Sequence, residues 1–80
     1  MFKIGKCYKL NMPGYGLFNN EKLEQRIQDS IRFGEIFILL NLYNTYLLGV
    51  GRIFLVKILH KNKIQYTFFR QSDIQNIIEL

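Results

Sequence analysis

Residues 36–59, IFILLNLYNTYLLGVGRIFLVKIL, limit more than any other stretch what this chain can become. A run this apolar either crosses a membrane or folds back into the core of a small domain. Asn41, Asn44 and Thr45 interrupt its first half, and Arg52 and Lys57 its second. A charge at mid-bilayer costs about 2.5–3.5 kcal/mol on insertion scales, and the unbroken pieces fall far short of the roughly 20 residues of a helical span. A membrane location is therefore not expected. The pieces are rich in Ile, Leu, Phe and Tyr, residues that suit pleated strands. Residues 35–43 are apolar on both faces, as in a central strand. Asn44-Thr45 then reads as a reversal, and Gly49 and Gly51 as a bulge or bend in the following strand.

The flanking sequence adds to this order. In residues 2–10, the even positions Phe2, Ile4, Lys6, Tyr8 and Leu10 alternate with Lys3, Gly5, Cys7 and Lys9, the period of a half-buried strand. Residues 11–18, NMPGYGLF, hold the only proline and read as a loop. Over 20–33 the spacing predicts a helix: Asn19 or Asn20 as cap, Leu23, Ile27 and Ile31 at i, i+4 and i+8, and Gly34 as a left-handed stop. Lys61-Asn62-Lys63 joins runs 52–60 and 63–70 into an antiparallel hairpin, with Ile64, Tyr66 and Phe68 on one face and Lys63, Gln65, Thr67 and Phe69 on the other. A short helical turn from Ser72 leads into a last strand, 77–80.

Eighty residues leave room for one domain, 1–80, and one core. Cys7 and His60 are the single cysteine and histidine, so neither an intrachain disulfide nor a Cys/His zinc site can be assembled. No cofactor is expected. The lone thiol suits a reducing, cytoplasmic setting, and residues 1–16 lack the apolar stretch of a secretory signal. Stability must come from apolar packing, and 49% hydrophobic residues exceed what so small a core hides. A homodimer or an apolar docking patch would absorb the excess.

Gly5-Lys6-Cys7-Tyr8 in an opening strand, a bend at Gly49 to Gly51, and a tight turn at Ser72 to Ile74 before a closing strand together resemble an SH3-like small barrel. The resemblance implies a mainly β fold (α+β): a small antiparallel barrel or sheet, with one helix inserted after the first strand. That helix departs from simple SH3 domains. Their tryptophans and aromatic peptide-binding signature are also missing, so proline-rich peptides are not the implied ligand.

One His, one Cys and two Asp cannot supply a nucleophile, a base and an orienting acid, and no enzyme is expected. Pro13-Gly14-Tyr15-Gly16 matches no phosphate-binding glycine pattern. Eleven Lys and Arg against six Asp and Glu, a formal charge of +5, favour an acidic partner. Lys3 and Lys9 share a strand face, and Lys57, Lys61, Lys63 and Arg70 lie on the hairpin. With Tyr43, Tyr46 and Tyr66 nearby, they form the expected nucleic-acid-binding set, cations for phosphates and rings for bases. The alternative is a protein-binding module or inhibitor that docks through an apolar sheet face or edge strand. Heavy use of Ile, Lys and Asn in a compact chain without motifs fits a viral or phage protein.

Overall fold

Two short turns organise the chain in the computed structural model, which describes residues 2–80. Lys61 (φ 51°) and Asn62 (φ 62°) form a two-residue reversal closed by the pair His60 and Lys63. Left-handed backbone at both central positions matches the right-handed twist of the flanking strands. The second turn holds Leu48, Gly49 and Val50, and the Val50 amide donates to the Leu47 carbonyl at 3.0 Å. Gly49 and Gly51 carry the positive φ values there, 84° and 102°. These glycines therefore close a hairpin and do not bend a strand. The expected reversal at Asn44-Thr45 is absent, because these two residues stay in the ladder opposite Phe54 and Ile53.

The resulting strands are β1 Cys7–Leu10, β2 Gly16–Phe18, β3 Arg26–Ser30, β4 Ile36–Leu47, β5 Gly51–His60, β6 Lys63–Arg70 and β7 Ile77–Glu79. A 3-10 helix, Gln71–Asn76, precedes β7, where the helical turn and closing strand were expected. All seven strands form one antiparallel sheet in the order β3-β2-β6-β5-β4-β1-β7. The sheet stays open, ending at β3 and β7, and is not closed into a barrel. It is nonetheless curled: neighbouring strands lie about 4.8 Å apart, yet the inner-face rings of Phe37 on β4 and Phe69 on β6, with β5 between them, approach to 5.9 Å between centroids. No helix among the described residues is long and apolar enough to cross a membrane.

The helix expected over 20–33 does not form. Asn20 does accept the Glu24 amide, at 3.2 Å, but only within an isolated turn in which Leu23 has φ 55°. The chain then enters β3. A spacing of four is common to both periods, so Ile27 and Ile31 share a face whether the segment is a helix or a strand. Gly34 is left-handed as expected, but it links β3 to β4 and its amide bonds to Leu10. The opening strand is shorter than expected, because Gly5 (φ 86°) breaks the extended backbone.

Residues paired across an antiparallel ladder share a face. Tyr8, Phe37, Leu39, Ile58, Val56 and Phe69 fall on one side, here the inner face, and form the buried core with Leu10, Leu17, Ile31 and Ile77. Within it, Phe37 stacks between Tyr8 and Phe69, with ring centroids 5.9 Å away on each side.

Candidate functional site

The opposite, outer face of the sheet is open over much of its area, with Tyr43, Ile36, Ile64 and Ile78 exposed, but it is covered at one end, where Ile53 is buried and Tyr15 lies on Phe68. Register places its side chains in rows across the strands. Asn41 (β4), Lys57 (β5), Tyr66 (β6), Phe18 (β2) and Arg26 (β3) form one row. Tyr43, Leu55 and Phe68 form the next, and Thr45, Ile53 and Arg70 the one beyond. At the other end lie Ile38, Leu59 and Ile64, then Ile36, Lys9 and Ile78. No outward-facing position in these rows holds Asp or Glu. Lys57 therefore stands between tyrosine-bearing positions, with further cations around it; beside the last row Asp73 accepts the Arg70 amide at 2.8 Å.

Local contacts hold this surface in place. Asn41 Nδ2 donates to the Tyr43 hydroxyl at 2.8 Å, fixing a ring that is 47% exposed. Tyr15 stacks on Phe68 at 4.9 Å, and its hydroxyl donates to Asp73. Burial, then the hydrogen bond to Asp73 and its negative charge, pushes the Tyr15 phenol up to about 12.

Of the nine residues singled out from the sequence, Lys9, Lys57, Arg70, Tyr43 and Tyr66 share the outer face. Lys63 has the inner-face register of His60. Tyr46 is also on the inner side, opposite Arg52 at the β4–β5 tip. Lys3 precedes β1, and its amide donates to the Tyr8 hydroxyl at 2.6 Å. Lys61 is held by Glu35 at 3.2 Å and, more loosely, by Asp29 at 3.9 Å. Two outer-face members escaped the sequence reading, Phe18 in the expected loop and Arg26 in the expected helix. Their pairing partners are far away in sequence, so nothing local marked them.

Lys61 belongs to a second polar group at the other hairpin end. His60 is buried, with Nδ1 2.9 Å from Gln65 Oε1 and Nε2 3.1 Å from Glu35 Oε1. Burial alone would raise the Glu35 carboxyl, but the Arg32 amide, Lys61 and His60 outweigh it and hold its pKa below the usual 4.5. A carboxyl lowered on folding contributes stability above its unfolded pKa and loses it as the pH falls through the folded value. Glu35→Gln should cost roughly 1 kcal/mol near pH 7, where a charged hydrogen-bond acceptor is lost. The deficit should shrink on approach to pH 3, as urea unfolding at the two pH values would show. An equal deficit at both would count against a role for the Glu35 charge.

No protein-family model matches the chain, no curated protein matches it in sequence, and no solved structure matches it.

Proposed function

We propose that this protein is a non-catalytic binder of single-stranded nucleic acid, which it takes across the outer face of the sheet. The observation that carries this reading is the juxtaposition of Tyr43, Tyr66 and Phe18 with Lys57 among them and Lys9, Arg26 and Arg70 around them. Rings offer bases a stacking platform of any sequence, while cations track the phosphates. A duplex keeps its bases stacked on each other and gains little from such rings.

The test is fluorescence anisotropy with labelled single- and double-stranded DNA and RNA at low and near-physiological salt. Single strands should bind more tightly than duplex. Removing a stacking ring costs about 1–3 kcal/mol per base, so Tyr43→Ala or Tyr66→Ala should weaken binding by a factor of about 5 to 160. Lys57→Ala should reduce the salt slope by about 0.7, the contribution of one phosphate contact on a single strand. Equal affinity of parent and variants, or binding that vanishes above low salt, would rule the reading out.

A second reading rests on the aliphatic end of the same face, where Ile36, Ile64 and Ile78 are all exposed. Such a patch suits an apolar protein surface. Docking of that kind would tolerate salt and fail in Ile64→Asp.

A further inference from the structure

β1 covers one edge of β4 only along Ile36–Ile38, and the residues just before it make the last backbone bonds to that edge, the Gly5 amide donating to the Leu39 carbonyl and the Leu39 amide to the Lys6 carbonyl. From residue 41 to 47 that edge has no backbone partner among the described residues. The hairpin turns determine which residues point there. The two-residue turn makes His60 and Lys63 a hydrogen-bonded pair, and bonded and non-bonded pairs then alternate along the ladder. Residues 54, 56 and 58 of β5 accordingly bond to β6, while 51, 53, 55 and 57 bond to β4. The other hairpin agrees, since Leu47 closes its turn opposite Gly51. Leu42, Asn44 and Tyr46, which face residues 56, 54 and 52, therefore direct their amides and carbonyls at the free edge.

Open edges are commonly guarded by lysine, proline or inward-pointing charge. β4 reads IFILLNLYNTYL, without charge, proline or glycine. A bulge near Leu40 disturbs it, and the Asn41 Oδ1 accepts the Leu42 amide at 2.8 Å, while the Asn44 and Tyr46 amides carry no such cap among the described residues. We infer that this edge is an interface between two copies of the chain, pairing antiparallel about Asn44 to join two seven-stranded sheets into one. Centred there, all three edge-facing residues are used: Asn44 meets Asn44, and Leu42 meets Tyr46, the Leu42 amide exchanging its bond to Asn41 Oδ1 in its own chain, at 2.8 Å, for the Tyr46 carbonyl of the second copy. A two-fold axis at Leu42 or Tyr46 would leave part of this set unmatched.

The side chains fit the same axis. On the inner face, beside Leu42, lies an open cleft of about 510 Å³ whose walls are Phe2, Leu42, Phe54 and Ile74, with Asn44 and Gln71 at its polar side. Tyr46, 69% exposed in the single chain, would arrive from the second copy opposite Leu42, at this cleft. The Asn44 amide, which has no side-chain partner in its own chain among the described residues, would find one in its symmetry mate. On the outer face Tyr43 would lie against Thr45, a favourable aromatic and β-branched pair. The cleft is thus completed by a residue of the partner copy.

Two variants test this by light scattering and sedimentation. Asn44→Pro removes an amide that the single chain does not use, so it should stay folded by circular dichroism, with dimerisation weakened at least about a hundredfold. Thr45→Pro removes an amide bonded to Ile53 and should lose the fold. In a Cys7→Ser background, Asn44→Cys should oxidise to a covalent dimer, because bonded cross-strand pairs lie about 5.5 Å apart at Cα, within disulfide reach. Thr45→Cys, staggered from its mate, should not. A parent protein that stays monomeric up to high micromolar concentration, or an Asn44→Pro variant that dimerises as tightly as the parent, would overturn the inference. No nucleic acid enters the experiment, so its outcome is independent of the binding reading above.

Discussion

Phe37→Ala is expected to leave the chain largely unfolded at physiological temperature. Phe37 is fully buried, at the middle of an aromatic stack that runs from Tyr8 to Phe69 and is bordered by Phe2, 5.1 Å from Tyr8 and 6.0 Å from Phe69. Truncating such a ring costs about 3–5 kcal/mol, through lost transfer energy and the cavity left behind. A domain of this length has about 4–12 kcal/mol in total. Tm should drop by roughly 12–40 °C, taking about 4–8 °C per kcal/mol for a domain of this size. Phe33, four residues earlier and mostly exposed, provides the control: Phe33→Ala should stay within about 0.5 kcal/mol of the parent. Similar melting of the two variants would mean that the inner-face stack does not hold the sheet together.

Both phenylalanines look alike in the sequence, and the difference between them shows what was legible there. Strand content was readable where β-formers dominate, over residues 36–43 and 52–70, because runs too short to span a membrane and too rich in Ile, Phe and Tyr for a surface helix leave few choices. The turn between them was misplaced at Asn44-Thr45, whose polar side chains stay in the ladder. The Lys61-Asn62 turn, the last strand and the opposed faces of β6 were readable from local chemistry. Residues 20–33 were not. Their apolar spacing satisfies two periods at once, and a good N-cap began a turn that no tertiary contact extended. What excluded the helix was the vacancy beside β2 that β3 fills, a non-local demand. For the same reason the candidate site was half legible. Lys57, Tyr66 and Tyr43 could be suspected as basic and aromatic, and alternation already set Lys63 on the face opposite Tyr66, but only the unbroken β4 ladder separates Tyr43 from Tyr46 on the other face.

The second large effect falls on a position that local reading treats as an ordinary turn. Gly14→Ala should destabilise the protein by about 3 kcal/mol, at the upper end of the usual overpacking cost. Its φ is not positive, so backbone preference is not the reason. A Cβ built there would stand 1.6 Å from the Ile31 carbonyl oxygen and 2.9 Å from Leu10 Cδ2. The carbonyl belongs to the backbone that follows β3 and cannot rotate away. The loop cannot lift either: the Ile31 amide donates to the Tyr15 carbonyl at 3.1 Å, and Tyr15 is tied to Asp73 and stacked on Phe68. Two other glycines make the comparison sharp. At Gly16 the three atoms nearest a Cβ all belong to the Arg26 side chain, which can swing out. At Gly5 it meets nothing, leaving only the left-handed φ, a strain of roughly 1 kcal/mol. Urea unfolding of the three alanine variants should therefore place Gly14→Ala well below the other two. Equal losses would show that the loop rides above β3 with room to spare, and that the close approach between residues 14 and 31 does not exist in solution.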